Sequence, residues 1–127
     1  MKSLEPKALL WIGSSLKDLK DFPTGVQKSM GHALNEAQVG GKHADAKPLR
    51  GFHGAGVLDV VEDFDGDTFR TVYTVRFEEA VYVLHAFQKK SKRGIETPKH
   101  DLDLIRTRYD AAKQLHAERI AARGGGK

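Results

Sequence analysis

The sequence predicts an α+β fold in the order β-α-α-β-β-β-α, an antiparallel meander packed against a helical hairpin. Three observations predict it. A short β-forming apolar run stands near the start, two helical periods follow with a proline between them, and three strand-like runs separated by turn residues precede one long helical period.

The first strand is read from Leu9, Leu10, Trp11 and Ile12, a run closed by Gly13. Ser14 or Ser15 can cap the first helix, in which Leu16, Leu19 and Phe22 recur at three-residue steps until Pro23 ends it. Thr24 offers the next cap, and Val26, Met30, Ala33, Leu34 and Ala37 then fall on one helical face as far as about Gln38. Residues 40 to 56 hold five glycines, three basic residues and two histidines without an apolar period, which predicts a loop long enough to have a function. The runs Val57 to Phe64, Phe69 to Phe77 and Ala80 to Phe87 make the meander, its first turn marked by Asp65-Gly66-Asp67. Alternation along 80 to 87 predicts that Val81, Val83, His85 and Phe87 share one face, with Tyr82, Leu84 and Ala86 on the other. Thr97-Pro98 and Asp101 open the last helix, and Leu102, Ile105, Tyr109, Ala112, Leu115 and Ile120 form its apolar face.

A chain of 127 residues, 39% of them hydrophobic, can bury one modest core, so a single domain over residues 1–122 with a flexible tail at 123–127 is expected. The net charge of +4 makes a polyanion a plausible partner class. Cysteine is absent, which excludes disulfides, thiol nucleophiles and thiolate metal sites and fits a cytoplasmic location. The apolar stretch Ala8 to Ile12 is far shorter than the roughly 18 residues of a membrane span. The histidines show no HxH or HExxH spacing, so neither a metal nor another cofactor is expected. Serine-nucleophile and P-loop patterns are absent as well.

The residues that can carry chemistry are cationic. Arg70 and Arg76 alternate with the aromatic positions Phe69, Tyr73 and Phe77 and so share the opposite strand face, where they either meet phosphates or pair with Asp59 or Glu62 next door. Lys89, Lys90, Lys92 and Arg93 crowd the end of the third meander strand. With Lys47 and Arg50 from the glycine loop they can clamp two or three phosphates, or else form only a solvated rim. His85 can shuttle a proton near neutral pH, or simply satisfy a buried neighbour.

Four segments carry a family resemblance: Lys47-Pro48-Leu49-Arg50-Gly51, Phe69-Arg70-Thr71-Val72-Tyr73, Tyr82-Val83-Leu84-His85-Ala86-Phe87-Gln88-Lys89-Lys90-Ser91-Lys92, and Thr97-Pro98-Lys99. Over about residues 47 to 109 the chain resembles the phage-related, Gp49-like branch of the HigB toxins within the RelE/ParE superfamily. The resemblance implies a RelE-like microbial RNase fold and the toxin of a type II toxin–antitoxin system. Such a toxin is a ribosome-dependent, metal-independent endoribonuclease, an mRNA interferase that inhibits translation. The 2′-hydroxyl of the message attacks the adjacent phosphate while the protein supplies charge and positioning. On this resemblance Arg70 matches the arginine of the family's Tyr/Phe-Arg-x-x-Tyr strand. Arg70 with Lys89 or Lys90 stabilises the phosphorane, Lys92 and Arg50 hold flanking phosphates, and His85 is the proton carrier. Asp59→Ala is then expected to matter less than Arg70→Ala. The implied partners are a helix-turn-helix, HigA-like antitoxin, mRNA on the ribosome and, through the antitoxin, operator DNA, with no membrane partner.

The chain departs from RelE in having Leu58, Asp59, Val60 and Val61 where RelE carries basic residues, and it lacks RelE's tyrosine beyond the last strand. The rival reading is a ParE-like toxin that inhibits a topoisomerase by protein contact. A plain single-strand RNA reader is disfavoured, because Phe69, Tyr73 and Phe77 are assigned to the core and leave no stacking surface.

Overall fold

The apolar run near the start pairs with the third meander strand, seventy-two residues later, and this long-range contact ties the start of the chain into the sheet. The computed structural model describes residues 6–52, 54–89 and 97–125. Its elements are β1 (Ala8–Trp11), α1 (Ser15–Lys20), α2 (Thr24–Gln38), β2 (Ala46–Pro48), β3 (Val57–Phe64), β4 (Asp67–Thr74), β5 (Ala80–Lys89) and α3 (Lys99–Gly125). The five strands form one sheet in the order β1-β5-β4-β3-β2. β1 runs parallel to β5, and the other pairs are antiparallel. The fold class is the α+β architecture expected.

Helices cover both faces. Leu19 of α1 and Phe22 of the turn that follows it, with Val26, Met30 and Leu34 of α2, pack on Val60, Phe69, Tyr73, Val81 and Val83. Ile105, Tyr109 and Ala112 of α3 pack on Val72, Tyr82 and Leu84 across the sheet. The helical hairpin is therefore one of two outer layers, and α3 is the other. At the β3–β4 turn Asp65 (φ 53°) and Gly66 (φ 86°) both adopt left-handed backbone, the geometry of a two-residue hairpin turn that Asp-Gly favours.

The structure departs from the expected elements in four places. The first is β2, which lies within the segment read as loop. It has three residues, too few to alternate, and Pro48 is tolerated because β2 is an edge strand. The second is the C-terminal half of α3. The helix continues to Gly125, into the segment assigned to the tail, and Arg123 reaches Glu79 at 3.4 Å. The third is its apolar face. Leu115 and Ile120 are 44% and 39% exposed, because the inward stripe Ile105, Tyr109, Ala112 continues at helical spacing to His116. His116 is buried between the Tyr82 hydroxyl and Glu79, 3.1 Å from each.

The fourth departure positions the site. The β4–β5 register steps from Val72 opposite His85 to Tyr73 opposite Val83, leaving Leu84 as an extra residue in β5. This β-bulge breaks the simple alternation. Val81 and Val83 face α1 and α2, whereas Leu84 and Phe87 belong to the α3 side and His85 bonds to Asp101 of α3. Placing Val81, Val83, His85 and Phe87 on one face is thus corrected. Arg108 of α3 holds the bulge: Nη1 donates to the Leu84 carbonyl at 2.9 Å and Nη2 to Ser14 Oγ at 3.1 Å. Gly13, at φ 57°, makes room, since a Cβ there would lie 2.9 Å from the Arg108 guanidinium.

Candidate functional site

Near the first turn of α3, Leu102 shares a cavity with Asp59 and Val61 of β3 and Arg70 of β4. There a cleft of about 670 Å³ opens. Lys47 and Arg50 stand exposed at its rim, Asp59 and Arg70 line its floor, and Val61 and Leu102 are among its apolar walls. Among the described residues its charged lining groups are three cations and one carboxylate, so the cleft favours an anion.

Arg70 is the centre of this arrangement. Strand alternation puts it on the α3 face of β4, directly opposite Val61 of β3 and Phe87 of β5. Its Nε donates to Asp59 Oδ1 at 3.4 Å and its Nη2 to Asp59 Oδ2, and the two side chains are only 7% and 8% exposed. Two parallel bonds of this kind fix a guanidinium plane. The guanidinium carbon lies 5.6 Å from the centre of the Phe87 ring, within cation–π range. Of the two sequence alternatives for Arg70, pairing with Asp59 is present in the structure. Glu62 has a different neighbour, accepting from Ser29 Oγ at 3.3 Å.

Behind Phe87 the row continues. The His85 and Phe87 rings stack with centroids 4.6 Å apart and planes 16° apart. His85 Nε2 is 2.7 Å from Asp101 Oδ1, and Nδ1 is buried without a hydrogen-bond partner among the described residues. Desolvation pushes the imidazole pKa below its ordinary value, outweighing the Asp101 carboxylate, which pulls the other way. Tyr73 lies on the opposite face in the core. Burial, aided by the negative charge of Asp59, pushes its phenol up to about 12.

The remaining sequence candidates distribute as follows. Lys47, Arg50 and Arg70 come together at the cleft. Arg76 does not join them; it lies beyond the end of β4 and its Nη1 donates to the Tyr109 hydroxyl at 2.8 Å. Lys89 is the last residue of β5, opposite Thr68. Lys90, Lys92 and Arg93 lie outside the described residues. Asp101, Phe87 and Arg108 were missed as parts of the site. Asp101 carried only the signal of an acidic first helical turn, which is common for reasons of the helix dipole alone. Among the described residues no group of three or more acidic or imidazole side chains is placed to hold a metal, and no helix is long and apolar enough to cross a membrane.

The profile of one family, described as phage derived protein Gp49-like (DUF891), matches residues 17–110, most of the chain and every element that lines the cleft. The chain belongs to that family. No curated protein sequence matches it. Among solved structures it is similar to a mutant of the E. coli toxin RelE in the free state, at 20% identity and a TM-score of 0.49, over 64% of this chain and 81% of that one. It is also similar to the toxin–antitoxin complex RelBE2 from Mycobacterium tuberculosis, at 19% identity and a TM-score of 0.42, over 72% of this chain and 100% of that one.

Proposed function

We propose that this Gp49-like protein is the toxin of a type II toxin–antitoxin pair and cleaves mRNA on the ribosome as a metal-independent endoribonuclease. The observation that carries this reading is Arg70, a fixed guanidinium on the floor of a cleft with Lys47 and Arg50 at its rim. A phosphate entering that cleft meets a preorganised donor where charge develops in transesterification, and the two rim cations hold neighbouring phosphates. Lys89, which ends β5, and Lys90, next to it in sequence, are the further cations assigned to this role. The nucleophile is the RNA's own 2′-hydroxyl, and the ribosome supplies the alignment that an open cleft does not. A helix-turn-helix antitoxin that covers the cationic cleft would keep the protein silent.

The test is cleavage of a labelled message on purified ribosomes, with fragment ends mapped chemically. The expected products carry a 2′,3′-cyclic phosphate or 3′-phosphate, and Arg70→Ala lowers the rate about 10²- to 10³-fold. A 3′-hydroxyl product, or full activity in folded Arg70→Ala protein, refutes the reading. The Asp59–Arg70 ion pair favours a second reading, in which Arg70 is structural and the protein is a ParE-like inhibitor of a topoisomerase. Growth arrest with intact message and inhibited supercoiling would select it.

A further inference from the structure

We infer that His85 is a positioning residue, which ties α3 to Phe87 and through that ring sets the plane of Arg70 over the cleft floor, instead of carrying a proton itself. The inference rests on the proposed role of Arg70 in contacting phosphate.

The row Asp101–His85–Phe87–Arg70–Asp59 is continuous. Its contacts are a 2.7 Å hydrogen bond, a stack at 4.6 Å, a cation–π approach at 5.6 Å and a two-bond ion pair. The strand register builds it, because Arg70 stands opposite Phe87 and Val72 opposite His85, so that His85 and Phe87 are consecutive on the α3 face beyond the bulge. Phe87 is held between two planar groups, and any tilt of its ring moves the guanidinium it supports. Asp59 restrains Arg70 from the neighbouring strand, while His85 and Phe87 restrain it from below.

A proton carrier must come within hydrogen-bond reach of the reacting hydroxyl. His85 is only 6% exposed, one ring nitrogen is engaged by Asp101, and the other is buried. The same burial that shields it favours the neutral ring, which stacks on Phe87 without placing a second cation beside Arg70. Because Asp101 belongs to the first turn of α3 and Leu102 lines the cleft, the His85–Asp101 bond also fixes one wall of the site.

The experiment reads Arg70 directly, through the Nε–H resonance of its side chain in the full-length protein without RNA. His85→Gln keeps a donor for Asp101 but removes the ring. It should shift that resonance and speed its exchange with water roughly tenfold or more, the scale of one weakened hydrogen bond. His85→Phe keeps a ring and should retain the resonance near its original position. In a Phe87→Leu background His85→Gln should have no further effect. An Arg70 resonance unmoved in folded His85→Gln protein, or a full effect of His85→Gln without Phe87, overturns the proposal. Should His85→Gln fail to fold, His85→Leu, which likewise removes the ring that stacks on Phe87, is read in the same way. On ribosomes, His85→Gln should lower the cleavage rate without changing the shape of its pH profile. Loss of a limb near neutral pH with Arg70 undisturbed makes His85 the proton carrier and overturns the positioning role. Since the resonance is measured without RNA, an inactive wild-type protein refutes only the ribonuclease reading.

Discussion

Replacing Asp59 with Asn should destabilise the folded state by about 3 kcal/mol, toward the lower end of the roughly 3–5 kcal/mol expected when a buried ion pair loses one partner. The lower end applies because Arg70 borders an open cleft and can recover some hydration, although its side chain is only 7% exposed in the native arrangement. For a chain of this size each kcal/mol moves the midpoint of thermal unfolding by about 3–5 °C, so the expected fall is about 10–15 °C. Arg70→Met should cost a similar amount, because it strands the carboxylate. The double variant Asp59→Asn/Arg70→Met should cost less than the two single changes together, with a coupling of about 2 kcal/mol or more. Urea unfolding followed by circular dichroism measures all three. If Asp59→Asn stays within about 0.5 kcal/mol of the wild type and the double variant is additive, the pair does not hold the floor of the cleft.

Further outcomes follow from buried groups. Tyr73 should resist ionisation until about pH 12, and because the unfolded chain releases this proton first, near 10, its contribution to stability is intact below pH 10 and lost as the pH rises toward 12. Spectrophotometric titration follows the phenol, and Tyr73→Phe should remove that alkaline loss; an unchanged alkaline midpoint counts against it. His85 has the opposite sign: its folded pKa lies below 6.5, so the unfolded chain binds the extra proton more readily and stability falls as the pH drops below 6.5. Urea midpoints measured across that window should slope in the wild type and flatten in His85→Phe. Arg108→Ala should cost about 1–3 kcal/mol by leaving the Leu84 carbonyl without its donor, with faster amide exchange centred on residues 83–86. Equal exchange there would show that the bulge is held by the strands alone.

The meander and the helical hairpin were legible because their signals are local. Asp65-Gly66 specifies a turn by its own backbone preference, and the α2 stripe from Val26 to Ala37 is written at the period of one helix. The bulge at Leu84 was not legible, since alternation in Val81-Tyr82-Val83-Leu84-His85 is compatible with an unbroken strand. The carbonyl of the extra residue accepts from Arg108, more than twenty positions later, a contact that no local pattern announces. The same bulge sends His85 and Phe87 to the side of Arg70, so Arg70 and His85 could be singled out in the sequence while Phe87, Asp101 and the contacts that join them could not. Arg70 could be assigned to the correct strand face, but its partner could be narrowed only to Asp59 or Glu62. Register decides between them, and register is set by the turn and by packing on both faces.

The parallel pairing of β1 with β5 brings Ala8 beside Ala80, across seventy-two residues of chain. At synthesis rates of about 5–20 residues per second, β1 waits roughly 4–14 s for its partner to be made. During that interval the α1–α2 hairpin can form locally, but the sheet that buries its apolar face cannot close, and loop closure over such a span is entropically costly. The cleft comes later still, because Leu102 and Asp101 belong to the helix that follows β5. A chain released before residue 102 would therefore present Arg70 and Asp59 without the wall that faces them, which makes the cleft one of the last parts of the molecule to be completed during translation.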